Sequence, residues 1–155
     1  PAVTRYWSAP PMTGHDQAAA RLDAIVKQYE IGDVLQMGIE HKADGVLVGT
    51  CTLHQIHRQN RRAELGYALG SAWWGRGLMH EALVAFVGHA FGRMKLHRLE
   101  ADIDPRNAAS AKSLERLGFH REGYLRERWI VAGEVSDSAL YGLLARDWQG
   151  IAGRV

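Results

Sequence analysis

Apolar residues near the start of the chain recur at the spacing of one helix face. Between residues 16 and 29 they stand three or four positions apart, which predicts an amphipathic helix. They are Ala19, Leu22, Ile25, Val26 and Tyr29. Asp16 stands at the start of this segment, where an aspartate side chain commonly caps the first backbone amides.

Three strands are predicted to follow this helix. Residues 34–40 and 46–55 are rich in β-branched and apolar residues, and the segment 42–45 (Lys-Ala-Asp-Gly) joins them. Asp-Gly between two such runs is a hairpin signal. Residues 63–69 form a third run, and its short connection to the second run predicts antiparallel pairing.

The rest of the chain predicts two more helices and three more strands. They are helices at 75–93 and 107–117 and strands at 98–103, 119–131 and 134–145. The first of these helices carries Leu78, Ala82, Phe86 and Ala90 along one stripe, which we expect to face the core. The last two strands form a hairpin about Gly133.

This order of elements predicts an α+β fold with a mixed, mostly antiparallel central sheet and flanking helices. The strand–helix–strand unit from 63 to 103 is expected to form a right-handed parallel crossover. A chain of 155 residues is long enough for one domain with one core, so a single domain is predicted over 1–155.

Composition narrows the class of protein further. The formal net charge is only +2, which argues against direct nucleic-acid binding. No apolar run approaches the roughly 20 residues of a membrane helix, and residues 1–5 do not resemble a signal peptide. The single cysteine, Cys51, lies in an apolar strand pattern and is interpreted as a core residue. A protein of the reducing cytoplasm, away from membranes, is therefore expected.

A glycine loop at residues 74–79 (Trp-Gly-Arg-Gly-Leu-Met) joins the third strand to the long helix. Glycines let a phosphate approach the unpaired amides at a helix start. A nucleoside triphosphate loop is excluded, because no Lys-Ser or Lys-Thr follows Gly77. A dinucleotide loop is disfavoured, because His80 stands where its third glycine belongs. From this segment alone, a plain structural turn remains an equal alternative.

A second segment, residues 107–119, decides between these alternatives. It begins with Asn-Ala-Ala-Ser and ends with Leu-Gly-Phe. With the Ala-Glu-Leu-Gly-Tyr strand at 63–67 and the Trp-Gly-Arg-Gly loop, it resembles the GNAT superfamily of acyl-CoA N-acyltransferases. The resemblance is greatest to the ribosomal-protein N-terminal acetyltransferases of the RimJ/RimL type. It covers roughly residues 5–148.

Two positions depart from the superfamily pattern. In the loop pattern [QR]-x-x-G-x-[GA], Trp74 and Met79 occupy the first and last positions, while Gly77 matches the central glycine. Family members usually open with a strand and a helix before the segment similar to residues 3–7. We therefore expect a GNAT fold that lacks the usual first strand and helix.

The resemblance implies that acetyl-CoA is the cosubstrate, with no metal. Its pantetheine arm would lie between the strands at 63–69 and 98–103, which splay apart in the family. The residues implied to hold the coenzyme are Ala68, Leu69, Gly75, Arg76, Gly77, Leu78, Met79, His80 and Asn107. Backbone amides of the loop would bind the pyrophosphate, and Arg76 would add charge.

Two residues are candidates for the proton transfers. Glu64 matches the strand glutamate that acts as a base in some family members; a solvated strand carboxylate is the alternative. Ser110 is the candidate proton donor, since Leu114 stands where many members have a tyrosine. A helix-start hydroxyl that bonds the backbone is the alternative for Ser110. Tyr124 and Tyr141 are secondary donor candidates.

The expected function is acetyl transfer to a primary amine, with a protein or peptide α-amino group as the expected acceptor. The partner would then be a protein N-terminus, and pairing of two copies as a homodimer is an expectation from the family. Acetylation of a small amine and a non-catalytic, CoA-binding regulatory module are the alternatives. His54 and His57 stand three apart in a strand pattern, on opposite faces, so no metal site is predicted there.

Overall fold

A computed structural model describes residues 2–150 of the chain. Within them the fold is α+β, with six strands and three α-helices, which confirms the predicted fold class. The elements are α1 His15–Ile31, β1 Leu35–His41, β2 Val46–His57, β3 Arg62–Leu69, α2 Leu78–Gly92, β4 Arg98–Ile103, α3 Ala108–Arg116, β5 His120–Val131 and β6 Glu134–Leu144. The predicted domain extends over 1–155, and residues 1 and 151–155 lie outside the described residues.

The strands form one sheet in the order β1-β2-β3-β4-β6-β5. Every neighbouring pair is antiparallel except β3 and β4, which are parallel. The parallel pair is a consequence of the α2 crossover, because a helix returns the chain to the edge at which β3 began. The mixed, mostly antiparallel sheet is therefore confirmed, and its parallel pair lies where the crossover unit was predicted.

The hydrophobic core lies between one face of the sheet and the helices α2 and α3. Alternate strand residues point into it, as the two-residue period of a strand requires. The buried side chains include Leu53, Leu65, Leu99 and Leu143 from the strands, Leu83 and Val87 from α2, and Leu114 from α3. The opposite face of the strands carries polar side chains, among them His54, Glu64, Arg98 and Glu100.

Two predictions for the long helix α2 are corrected. Helix α2 buries Leu83, Phe86, Val87 and Ala90, and Ala82 packs partly buried against the same core, so the core-facing surface is wider than the predicted stripe. This helix is apolar around most of its circumference, and spacing alone therefore does not select one face. The second correction concerns its start, which is at Leu78 and not at residue 75.

Helix α1 forms where its apolar spacing predicted, but its N-terminal cap is different. Gly14 occupies the N-cap position without a side-chain hydrogen bond, so Asp16 is in the first turn and is not the cap. No residue of α1 is buried, and Leu22 and Tyr29 are each 59% exposed. The pattern therefore predicted the helix correctly but not the solvent exposure of its apolar face. Ahead of α1, residues 2–13 form turns and irregular chain.

The two predicted hairpin turns are present. Gly45 has a φ of +61° and donates its amide to the carbonyl of His41, which closes the turn between β1 and β2. Ala132 and Gly133 both have positive φ between β5 and β6. Positive φ at both central residues is characteristic of the two-residue turns that match strand twist.

Candidate functional site

A cleft opens in the sheet where β3 and β4 separate. The two strands pair only over Arg62–Glu64, opposite Arg98, Leu99 and Glu100. Beyond this point β3 continues to pair with β2 as far as Leu69, while β4 continues to pair with β6 as far as Ile103. The facing edges therefore diverge, and their backbone groups are positioned to hydrogen-bond an extended ligand inserted between them.

The glycine loop lies at the carboxyl end of β3, between the cleft and the start of α2. Gly75 and Gly77 have φ values of +74° and +78°, a left-handed conformation that cannot belong to a right-handed helix. This is the physical reason that α2 begins three residues later than the sequence predicted. Apart from the glycine itself and its two chain neighbours, no atom of residues 2–150 lies within 4 Å of the position that a Cβ would occupy at either glycine.

This open space fits the coenzyme that the sequence implies. Gly77 is the N-cap of α2 and forms no side-chain cap hydrogen bond, so the amides of Leu78 and Met79 at the helix start are placed where an anion can bind. The guanidinium of Arg76 lies 5.0 Å from the ring centroid of Trp73, which fixes its charge beside the loop. A phosphate-bearing ligand could approach the backbone of Gly75, Gly77 and Leu78 closely.

The Leu69 carbonyl, an expected coenzyme contact, already accepts a hydrogen bond within the chain. The indole Nε1 of Trp74 donates a hydrogen bond to the carbonyl of Leu69, at 2.8 Å. The Leu69 carbonyl therefore has one remaining lone pair for a ligand. Ala68 is the register partner of Thr50, in the same hydrogen-bonded phase as Gly70, which donates to the Val48 carbonyl, so the backbone groups of Ala68 face β2. Trp74, which departs from the family pattern, thus ties the loop to the end of β3.

Glu64 occupies the last position at which β3 pairs with β4, at the point where the cleft begins. Its side chain is 23% exposed and accepts a hydrogen bond of 3.1 Å from Gln55 Nε2. Burial raises the pKa of this carboxyl above its usual range, and the nearby charges of Asp102 and Glu100 raise it further. A carboxylate with an increased proton affinity is suited to the role of general base.

Ser110 lies in the first turn of α3 and contacts β3 through Tyr67. Its hydroxyl is 2.7 Å from the Tyr67 hydroxyl, which also donates to the Ser110 carbonyl at 3.2 Å. Asn107 caps this helix, since its Oδ1 accepts from the Ser110 amide at 3.1 Å. Leu114, at the usual tyrosine position, is fully buried in the core.

Glu64 and Ser110 lie on opposite faces of the sheet. Glu64 points to the polar face, while Tyr67, three residues further along β3, points to the helix face and meets Ser110 there. The structure thus brings Ser110, Asn107 and Tyr67 together, with Glu64 across the strand. Sequence reasoning missed the contact of Tyr67, although this residue ends the Ala-Glu-Leu-Gly-Tyr motif.

The secondary candidates lie elsewhere. The Tyr124 hydroxyl donates a hydrogen bond to the Asp137 carboxylate on the exposed β5–β6 surface, and Tyr141 is buried in the core.

No group of three or more His, Cys, Asp or Glu residues within 2–150 is placed to hold a metal ion. No helix in the same range is long and apolar enough to cross a membrane. Burial raises the pKa of Cys51 to about 12, so this thiol is an unreactive core residue.

Comparison with known proteins identifies an acetyltransferase domain over most of the chain. Residues 1–120 match the profile of the acetyltransferase (GNAT) domain. The chain is 34% identical over 150 residues to an uncharacterized N-acetyltransferase, p20, of Bacillus licheniformis, covering 97% of this chain and 84% of that protein. It is 32% identical over 130 residues to the [ribosomal protein uS5]-alanine N-acetyltransferase of Escherichia coli, covering 83% of this chain and 67% of that protein.

A solved structure extends the similarity to the fold. RimJ of Mycobacterium smegmatis, in complex with CoA-disulfide, superposes with a TM-score of 0.82 at 28% identity, covering 94% of this chain and 71% of that one. The matched profile includes the diverging strands, the glycine loop and the cap of α3, which form the cleft described above. With this site and these relatives, the chain belongs to the GNAT family of N-acetyltransferases.

Proposed function

We propose that this domain transfers an acetyl group from acetyl-CoA to the α-amino group of a protein or peptide. The observation that carries the proposal is the cleft between β3 and β4, with Glu64 on one face of the sheet and Ser110 on the other. An acyl group held at this point would have a base on the side from which an amine approaches. A hydroxyl would lie on the opposite side.

The diverging strands and the glycine loop would together hold the coenzyme. Backbone groups of Leu69 and the Asn107 side chain would contact the pantetheine arm, and Ala68 would lie beside it. The loop amides from Gly75 to His80, with the charge of Arg76, would contact the pyrophosphate. Acetyl-CoA supplies a thioester whose carbonyl carbon accepts an amine and whose sulfur departs as a weakly basic thiolate.

The residues at the cleft would then move two protons. A protonated amine must lose a proton before it can attack, and Glu64 would take this proton directly or through water. Ser110 would donate a hydrogen bond toward the sulfur as negative charge develops there. Tyr67 would hold the Ser110 hydroxyl in place, and the sheet would position both reactants.

The choice of acceptor follows from the relatives and from acid–base chemistry. The Escherichia coli relative is named for alanine acetylation on ribosomal protein uS5. An α-amino group has a pKa near 8, against about 10.4 for a lysine side chain. A carboxylate base such as Glu64 can therefore deprotonate an N-terminus more easily than a lysine. Trp73 and Trp74 would narrow the cleft and favour small N-terminal residues.

A free-thiol release assay tests this function. It compares peptides with Ala, Ser or bulky N-termini against polyamines and aminoglycosides, and the proposal predicts the highest kcat/KM for a small-residue peptide. A polyamine or aminoglycoside that exceeds every peptide tenfold would overturn the acceptor and leave acetyl transfer intact. Binding of CoA without turnover of any amine would identify a non-catalytic module.

Glu64→Gln tests the assignment of the base. It is expected to lower kcat at pH 7 about 100-fold, within the range of general-base effects, and to leave the dissociation constant of CoA unchanged. Glu30→Gln, an exposed carboxylate on α1, is the matched control and should retain full activity. A wild-type kcat in Glu64→Gln would show that Glu64 is only a solvated strand carboxylate.

A further inference from the structure

His54 lies directly beside Glu64, across the β2–β3 pair. The two residues are register partners, and His54 Nε2 is 3.7 Å from Glu64 Oε1. The imidazole also extends over Gly66, whose ideal Cβ position is 3.6 Å from Nε2. Gly66 lies beyond Glu64, the last residue of β3 that pairs with β4, so the ring reaches toward the start of the cleft. The absence of a side chain at Gly66 leaves this space to the ring.

A distortion of β2 holds the other oxygen of the same carboxylate. The pairing of β2 with β3 is interrupted between His54 and His57. Gln55, within this bulge, has a φ of +50°, which is uncommon for a residue with a side chain. Its amide nitrogen donates to Glu64 Oε2 at 3.1 Å. The bulge thus leaves Oε1 facing the imidazole.

The charged side chains around Glu64 are paired with one another, and the imidazole of His54, which can accept a proton, lies beside it. Arg62, on the same strand, donates to Glu100 of β4 at 2.8 Å, and Arg98 donates to Glu100 at the same distance. Asp102 of β4 accepts a hydrogen bond from Arg128 of β5 at 3.3 Å. These arginines and carboxylates are therefore engaged with one another, and they face Glu64 from β3, β4 and β5. His54 and Gln55 face it from β2.

We propose that His54 is a positioning residue for Glu64 and takes over the proton that Glu64 removes from the amine. The inference rests on the acetyl transfer proposed above. In the first step R–NH₃⁺ and the Glu64 carboxylate become R–NH₂ and the Glu64 carboxylic acid. In the second step, once the 3.7 Å separation closes to hydrogen-bond distance or a water bridges it, the proton passes to Nε2 of neutral His54, which restores the carboxylate and forms an imidazolium. The imidazolium, at a side chain 34% exposed, then releases the proton to water.

The titration behaviour of the two groups supports this transfer. Burial lowers the pKa of His54, so the imidazole is neutral and able to accept a proton at pH 7. Burial raises the pKa of Glu64, which brings the two proton affinities closer together. A proton moves readily between groups of similar affinity.

Nuclear magnetic resonance of the imidazole Cε1–H groups tests the coupling without any need for activity. The His54 signal is assigned by its absence in His54→Gln and titrated in the wild type, in Glu64→Gln and in the control Glu30→Gln. Loss of the neighbouring carboxylate should lower the pKa of His54 by roughly 0.5 or more, while Glu30→Gln leaves it unchanged. An identical His54 pKa in all three proteins would overturn the inference.

Steady-state kinetics test the role of the pair in turnover. His54→Gln should lower kcat about tenfold at pH 7 and leave the KM of acetyl-CoA unchanged, whereas His15→Gln on exposed α1 should do neither. Because His54 acts through Glu64, His54→Gln should cost nothing further in the Glu64→Gln background. An equal loss in both backgrounds would show that His54 acts independently and would overturn the relay.

The two measurements separate this inference from the proposed function. If no amine is acetylated but His54 responds to Glu64→Gln, the function proposed for the domain fails and the coupled pair remains. If acetylation is efficient and the His54 pKa is insensitive to Glu64, the proposed acetyl transfer remains and the proposed coupling of His54 to Glu64 is disproved.

Discussion

The hydroxyl of Tyr67 lies 2.7 Å from the hydroxyl of Ser110 and links strand β3 to the first turn of α3. Tyr67 is half-buried, and burial raises its pKa to about 12, so it is a neutral hydrogen-bond donor at every physiological pH. Either hydroxyl can donate in this contact, and the Ser110 carbonyl, 3.2 Å away, is a second acceptor for the Tyr67 proton. The contact therefore fixes the position of Ser110 Oγ relative to β3, which the donor role proposed above requires.

Tyr67→Phe is expected to lower kcat about tenfold, because it removes one hydrogen bond that orients the donor. The dissociation constant of CoA should not change, since the glycine loop is intact. The loss in unfolding free energy should be about 1 kcal/mol, the usual net value of one hydrogen bond. Tyr29→Phe, on the exposed face of α1, is the control and should change neither quantity. A Tyr67→Phe enzyme with unchanged kcat would support the capping interpretation of Ser110.

The raised pKa of Glu64 predicts a stability cost at neutral pH. The folded protein binds a proton at Glu64 more tightly than the unfolded chain does, since burial opposes the charged form. The free energy of unfolding therefore falls as the pH rises from the ordinary carboxyl pKa through the raised one. Glu64→Gln should raise the Tm at pH 7, and this gain should disappear as the pH approaches 4.

Glu134 provides a control, because its pKa is shifted in the direction opposite to that of Glu64. Its hydrogen bonds from Arg106 and Arg5 lower its pKa, so its ionised form stabilises the fold above the ordinary carboxyl pKa. Glu134→Gln should lower the Tm at pH 7, with the difference lost on acidification. Thermal unfolding monitored from pH 4 to pH 8 measures both variants. A Tm gain in Glu64→Gln that does not depend on pH would show that desolvation of the charge is not its cause.

Two leucines test the different environments of the helices. Leu83 of α2 is fully buried, and Leu83→Ala should cost 2–5 kcal/mol of unfolding free energy, within the usual range for a leucine truncated in a core. Leu22 of α1 is 59% exposed, and Leu22→Ala should change this free energy by less than about 0.5 kcal/mol. Denaturant unfolding measures both. A cost above 2 kcal/mol for Leu22→Ala would mean that the α1 face is covered in solution.

Local patterns were sufficient to predict most elements, because strand alternation, hairpin turns and helix caps are set by neighbouring residues. The helix predicted to begin at Asn107 is capped by that residue, and the strand at 98–103 has the predicted bounds. The start of α2 was wrong because Gly75 and Gly77 adopt positive φ, which a glycine permits but does not reveal in a sequence. The exposure of α1 depends on what packs against it, which periodicity does not report.

The candidate site was predictable only where a motif carried it. The glycine loop and Glu64 were identified from their spacing and from the family resemblance, and their roles remain predictions. The contact between Tyr67 and Ser110 joins residues 43 positions apart, and it depends on how α3 packs against the sheet. The bulge that brings Gln55 to Glu64 was equally hidden, because no sequence pattern marks a left-handed residue at a glutamine.

Gly77→Ala should abolish CoA binding with only a modest effect on folding. At a φ of +78° an alanine costs about 1–2 kcal/mol of backbone strain, and its methyl group would occupy the open space beside the loop amides. Because CoA stabilises only the folded state that binds it, saturating CoA should raise the Tm of the wild type but not of this variant.

Gly45→Ala is the matched control, since Gly45 also has a positive φ of +61° and open space around its Cβ position, but it lies in the β1–β2 turn. In the absence of ligand, the Tm of the two variants should fall by similar amounts. Only Gly45→Ala should retain the full CoA-dependent increase in Tm. Equal CoA responses in the two variants would exclude the loop amides as the phosphate site. A wild-type Tm that saturating CoA does not change would remove the coenzyme assignment altogether.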